Sequence, residues 1–157
     1  ADRAPARLEV AVVSAREARK LPGGLDVSVF APTLGYVTLK GVPVLVPASV
    51  LVHMAAHPGD VRSWTSALEW LPDLAAEATA KEVLTELKGR PSTVAARLGY
   101  LIQGLRPDIT DQVTGPNTKT WFGPRQKVVR HDNHWQIADT LLPFDPRSLA
   151  SVARAVA

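Results

Sequence analysis

The sequence predicts an α+β fold, with mixed or antiparallel β segments at both ends flanking a central group of amphipathic helices around one core. Three observations predict it. Short β-branched runs broken by Gly and Pro occupy residues 8–46 and 118–138. Apolar residues recur at helical spacing between Pro47 and Leu105. The order is strands, helices, strands, helix, which segregates the two kinds of element rather than alternating them as a βαβ chain would.

Each element has its own signal. Leu8–Val13 alternates as a strand, and Ser14 and Glu17 then sit at capping-box spacing for a short helical turn that Leu21-Pro-Gly-Gly ends. Three β-rich runs follow, Leu25–Phe30, Tyr36–Leu39 and Val42–Val46, with Gly35 and Gly41 placed as hairpin turns. Pro47 suits the first position of a helix carrying Val50, Leu51, Met54 and Ala55. A second helix is expected from an Asp60 cap, with Val61, Trp64, Leu68 and Leu71 on one face and Pro72 as its stop. A third runs from an Asp73 cap through Ala76, Ala80, Val83, Leu84 and Leu87 to Gly89. A fourth, capped by Ser92, carries Val94, Leu98, Leu101, Ile102 and Leu105. After a short turn at Asp108–Val113, strands are expected at Thr118–Phe122, Lys127–Arg130 and Trp135–Ala138, separated by Gly123-Pro124 and Asp132-Asn133. Asp145-Pro146 opens a last helix with Leu149, Val152, Ala153 and Val156 on one face.

Composition narrows the function classes. A chain of 157 residues, 46% hydrophobic and 21% charged, is expected to form one domain over residues 1–157, with residues 1–7 as a linker. There is no cysteine, which excludes disulfides, thiolate metal sites and a cysteine nucleophile. No apolar run approaches membrane-spanning length and no signal peptide is visible, so a cytoplasmic location is expected, with no membrane partner. The start at Ala1 without methionine fits a processed, trimmed or partial chain. The net charge of +3 is uneven: nine Lys/Arg face ten Asp/Glu in residues 1–88, and nine face five in residues 89–157. A basic C-terminal half can attract nucleic acid or an acidic protein surface, or can simply be solvated.

Chemistry-bearing constellations are sparse. His53 and His57 lie four apart on a helix and so share a face, but Met54 stands where a zincin-type helix needs a Glu. His131, Asp132 and His134 could serve a metal or acid–base site, or form an ordinary solvated turn. Glu82 and Glu86, and Asp108 and Asp111, read as helix solvation or capping. No Walker, GxGxxG or GxSxG pattern is present, and no catalytic residue, cofactor or metal is assigned. A histidine-dependent hydrolase is the enzymatic alternative to a binding role.

The most distinctive stretch runs from Thr118 to Ile137. Lys119, Arg125, Lys127 and Arg130 interleave there with Trp121, Phe122 and Trp135. These cations and Trp121 form the candidate contact face, and cations beside aromatics can bind nucleic acid. Alternation places Thr118, Thr120 and Phe122 on one face of the strand and Lys119 and Trp121 on the other. The aromatics can equally anchor the sheet, with basic side chains lying over its edge.

Three motifs in this order resemble the C-terminal domain of AbiEi-family antitoxins over roughly residues 8–145. The first is the run Gly41-Val-Pro-Val-Leu-Val-Pro47 leading into a helix at 48–56. The second is Arg97-Leu-Gly-Tyr-Leu101. The third is the strand pair Thr120-Trp-Phe-Gly-Pro124 and His134-Trp-Gln-Ile137, running into Ala-Asp-Thr-Leu-Leu. The resemblance implies a bacterial antitoxin that counteracts a nucleotidyltransferase-like toxin, its partner being that toxin or the toxin's nucleic-acid substrate. Family members usually carry an N-terminal winged-helix domain, which implies DNA-binding autoregulation of transcription in the full-length protein. No winged-helix segment is expected within this chain, so DNA binding is not transferred to its residues. A nucleic-acid-binding module using the basic–aromatic strands is the alternative reading, and a toxin-modifying activity is the enzymatic alternative that the resemblance leaves open.

Overall fold

The structure, a computed structural model, describes residues 9–12 and 26–150. β1 (Glu9–Val12) pairs in parallel with β2 (Asp26–Val29), Val10 opposite Val27. β3 (Tyr36–Leu39) and β4 (Val42–Leu45) form an antiparallel hairpin. Lys40 and Gly41 close it with φ of 50° and 78°, the pair of left-handed residues that matches the twist of a two-residue hairpin. Gly41 therefore turns the chain as expected. Gly35, although its φ is 74°, closes no hairpin, because the partner of β2 is β1.

Helices fill the middle: α1 (Pro47–Ala56), a 3-10 turn at Pro58–Asp60, α2 (Trp64–Ala67), α3 (Leu71–Glu77), α4 (Ala80–Leu87), α5 (Ser92–Ile102) and α6 (Pro107–Thr110). Their boundaries correct several expectations. Asp60 belongs to the 3-10 turn, and Ser63 caps α2 by accepting the Ser66 N–H at 3.1 Å. Pro72 does not stop a helix. It sits in the first turn of α3, where a missing N–H costs no hydrogen bond. Asp73 lies in that first turn rather than at the cap, and the expected third helix is split at Ala78 and Thr79. Thr79 opens α4: its hydroxyl accepts the Glu82 N–H at 3.2 Å and donates to the Glu82 carboxylate at 2.9 Å. This T-x-x-E start signal was present in the sequence and outranked by the apolar stripe running through it. Ser92 is the first residue of α5 and not its cap, which is the extended Pro91.

β5 (Thr120–Phe122), β6 (Arg130–Asp132) and β7 (Ile137–Asp139) make a three-stranded sheet in the order β5-β7-β6. The central β7 runs parallel to β5 and antiparallel to β6. All three expected strands shift, the first beginning at Thr120 rather than Thr118. Pairing with β7 begins at Arg130 rather than Lys127, and Trp135 lies in the β6–β7 turn, where Gln136 takes a φ of 51°. Past Asp145 the described chain makes a 3-10 turn at Pro146–Ser148. The short helix expected after Ser14 and the positions Val152, Ala153 and Val156 lie outside the described residues.

Helices and C-terminal sheet share one apolar cluster from Phe30 to Leu142. α1 packs most extensively on α5, then on α4 and α3. Trp64 meets Phe122 edge-to-face with centroids 5.6 Å apart, and Tyr100 meets it likewise at 5.7 Å. These offset aromatic contacts join α2, α5 and β5. Among the described residues, no helix is long and apolar enough to cross a membrane.

Candidate functional site

α5 is the element that sets the C-terminal sheet in place. The Arg97 Nε–H donates to the Trp121 carbonyl at 2.8 Å. Gly99 leaves room for the Trp135 ring, which a Cβ at that position would overlap. The Tyr100 hydroxyl donates to Asp139 Oδ2 at 2.7 Å. One turn of helix thus grips β5, the β6–β7 turn and β7 in succession. This is the physical content of the Arg97-Leu-Gly-Tyr-Leu101 motif.

From Lys119 to Phe122 side-chain alternation holds, whereas Thr118, expected on the buried face, is exposed and precedes the strand. Thr120 and Phe122 are buried, Lys119 is exposed and Trp121 is partly buried on the opposite side. Lys119 Nζ lies 5.2 Å from the Trp121 ring centroid and Arg125 Cζ lies 5.9 Å from it, both within cation–π reach. Gly123, at a φ of 107°, makes the turn that returns Arg125 to the ring. That turn is tied down by the Thr140 hydroxyl, which donates to the Pro124 carbonyl at 2.6 Å. Lys127 is exposed two residues further on. The structure therefore brings Lys119, Trp121 and Arg125 together and adds Arg97 from α5.

Arg130 is engaged elsewhere. Its Nη1 donates to Asp139 Oδ2 at 2.8 Å and to the Leu142 carbonyl at 3.1 Å. Asp139 is fully buried, and its Oδ1 also accepts the Leu141 and Leu142 N–H groups. Burial and the neighbouring Asp139 carboxylate push the Tyr100 hydroxyl up from its ordinary value, so it remains a donor. Trp135 is a sheet anchor, 2% exposed.

The histidines lie in two places, His53 and His57 at α1 and its C-terminal end, His131 and His134 on β6 and the turn after it. His53 stacks on Phe30 with centroids 4.8 Å apart, and His57 meets its edge at 5.6 Å, so the two share a face as their spacing requires. His131 and His134 are exposed, with His134 edge-on to Trp135. Asp132 is not the solvated turn residue that the sequence suggested. It is buried, accepting the Trp135 N–H at 2.9 Å and the Gln103 amide at 3.1 Å. Among the described residues, no group of three or more His, Asp or Glu is placed to hold a metal ion. Glu86 also departs from expectation. It is fully buried and accepts the Thr33 and Leu34 N–H groups, the Ser49 hydroxyl and Arg90 at 2.7 to 3.3 Å. Its helical neighbour Glu82 pairs with the Thr79 cap of α4, as described above.

Arg97 is the site residue that sequence reading missed as a contact residue. A signal was available: it is the one charged side chain between Ser92 and Ile102, a helix otherwise apolar or neutral.

A family model of the AbiEi antitoxin C-terminal domain matches residues 1–104. The chain belongs to this family. The match takes in the Gly41–Pro47 run and the Arg97–Leu101 motif and stops before β5, so the two strand motifs lie beyond it. The crystal structure of the RV2827C protein from Mycobacterium tuberculosis aligns with 99% of this chain at a TM-score of 0.68 and 21% identity. At that identity the likeness is one of fold. The AbiEi-family chain spans 60% of the length of that protein. No curated protein sequence matches it.

Proposed function

We propose that this AbiEi domain is the antitoxin part of a bacterial toxin–antitoxin pair and counteracts a nucleotidyltransferase-like toxin by contact through the Trp121 face. In the longer protein this would be coupled to DNA-binding autoregulation by another domain. Family membership across residues 1–104 is the observation that carries the reading. The face itself is supported by chemistry. Trp and Arg are enriched among the residues that carry most of the binding energy of protein interfaces, and Lys119, Arg125 and Lys127 are not among the ion pairs formed between described residues.

Co-expression with the nucleotidyltransferase-like product of a neighbouring gene tests this. Wild type is expected to restore growth, and a Trp121→Ala, Arg125→Glu double variant to restore it poorly while remaining folded. Continued growth arrest with wild type would count against the antitoxin role. Full rescue by the folded double variant would remove the contact face. The basic charge favours one other reading, a nucleic-acid-binding module. It requires oligonucleotide affinity that falls steeply as salt rises, because phosphate contacts release counterions.

A further inference from the structure

Among the described residues, Arg97 is a partly buried cation without an anion. Its Nε donates to the Trp121 carbonyl at 2.8 Å, whereas Arg90, Arg106, Arg130 and Arg147 each form an ion pair with a described carboxylate. A guanidinium has five N–H donors in a planar fork, so most of the donors of Arg97 are left unclaimed by the described residues. Burial alone lowers its pKa, with no carboxylate acting in the opposite direction. Each of the four arginines just named has a carboxylate within 3.0 Å. Arg97 stands apart, and it stands behind Trp121, whose ring carries Lys119 and Arg125. A groove of about 320 Å³ between Lys119 and the β6–β7 turn, lined also by His131, Asn133 and Gln136, adds a concave seat beside it. The acidic residue in that groove, Asp132, already has its two oxygens occupied by Trp135 and Gln103.

We infer that Arg97 and Trp121 form the anchor of this face, and that the anchor takes a carboxylate from an acidic segment of a partner protein, with Lys119, Arg125 and Lys127 as a cationic rim. The inference rests on the contact-face reading above and adds the partner's chemistry to it. Charge complementarity selects an acidic partner. Two observations select protein over nucleic acid. Single-stranded nucleic acid is held by aromatic platforms on which successive bases stack, whereas here Phe122 and Trp135 are buried and Trp121 is the one aromatic on the face. That ring is partly buried and approached by two cations, which leaves little bare surface for a base.

The test uses hexaglutamate and hexathymidylate as probes, titrated at low salt into the full chain. Binding is read from the side-chain NMR signals of the Arg97 Nε–H and the Trp121 indole. Hexaglutamate is expected to shift both signals, and Arg97→Gln to weaken its binding about tenfold, which corresponds to about 1.4 kcal/mol. Arg97→Lys keeps the charge and loses the fork, and is expected to restore only part of the affinity. If Arg97→Gln unfolds, Arg125→Gln, which leaves the helix contact intact, is expected to weaken hexaglutamate severalfold. Hexathymidylate binding tighter than hexaglutamate through the same signals would overturn the inference, as would hexaglutamate leaving the Arg97 signal unmoved. These outcomes are separate from growth rescue. Wild-type rescue with no hexaglutamate response defeats the anchor and leaves the antitoxin role standing, while a response without rescue does the reverse.

Discussion

At the scale of single residues, Gly99 and His53 make the sharpest claims. Gly99 faces the ring of Trp135, itself 2% exposed, so an added methyl must displace a large rigid side chain that has nowhere to go. Gly99→Ala is therefore expected to destabilise the fold by about 1–3 kcal/mol through overpacking, against the small gain that alanine normally brings to a helix. Urea unfolding measures it, and an unchanged midpoint would refute the packing argument. His53 carries a pH prediction. Burial lowers its pKa below the ordinary 6.5, aided by His57 and Arg90 and opposed by Asp60. Around and below pH 6.5 the unfolded chain then binds more protons than the native one, so stability falls as the pH drops through that window and is recovered above it. His53→Gln should flatten this acid limb in unfolding curves taken between pH 5 and pH 7.5. An unaltered limb would show that the loss lies elsewhere.

Elements are joined here by buried acids as well as by apolar faces. Glu86 on α4 receives the backbone at Thr33 and Leu34, the Ser49 hydroxyl of α1 and the guanidinium of Arg90, which also lies 4.4 Å from the Phe30 ring. Asp139 on β7 does the same for Tyr100, Arg130 and the two N–H groups that follow it. Glu86→Ala strands two backbone donors and a cation 19% exposed, so a loss of about 3 kcal/mol is expected. Native-state hydrogen exchange should show it first at Leu34 and in the β3–β4 hairpin, where Tyr36, Val37, Leu39 and Val42 already have substantial exposure. Unchanged protection there would argue against Glu86 as the tie. The helix boundaries show why these roles were hard to read. Pro72 and Asp73 carry signals for both a stop and a start, and local sequence weighs them equally. The Thr79–Glu82 cap, in contrast, was legible and is what divides α3 from α4.

For the whole molecule, the family match and the folded unit have different ends. The match closes at residue 104, yet α5 before that point is buried against β5 and β7 after it. A chain ending at Gly104 would uncover Tyr100 and Trp64, which now pack on Phe122. It is expected to lose near-ultraviolet circular dichroism and cooperative unfolding, and retention of both would show that residues 1–104 fold alone. The candidate face straddles the same boundary, with Arg97 on one side and Lys119, Trp121 and Arg125 on the other.

The sequence by itself determined the α+β class, the hairpin turn at Gly41, the start of α1 at Pro47 and the face to which Trp121 and Lys119 belong. Those features follow from periodicity and from backbone restrictions that act within a few residues. Tertiary structure alone decided that Trp135 is an anchor beneath Gly99, that Glu86, Asp132 and Asp139 are buried, that Arg130 is spent on Asp139 and that Arg97 stands behind Trp121. Each of these depends on a partner distant in the chain: 36 positions for Trp135, 24 for Arg97, up to 53 for Glu86. A polar side chain in a sequence carries no mark of whether water or another part of the chain will satisfy it, and burial is settled only when the chain closes on itself.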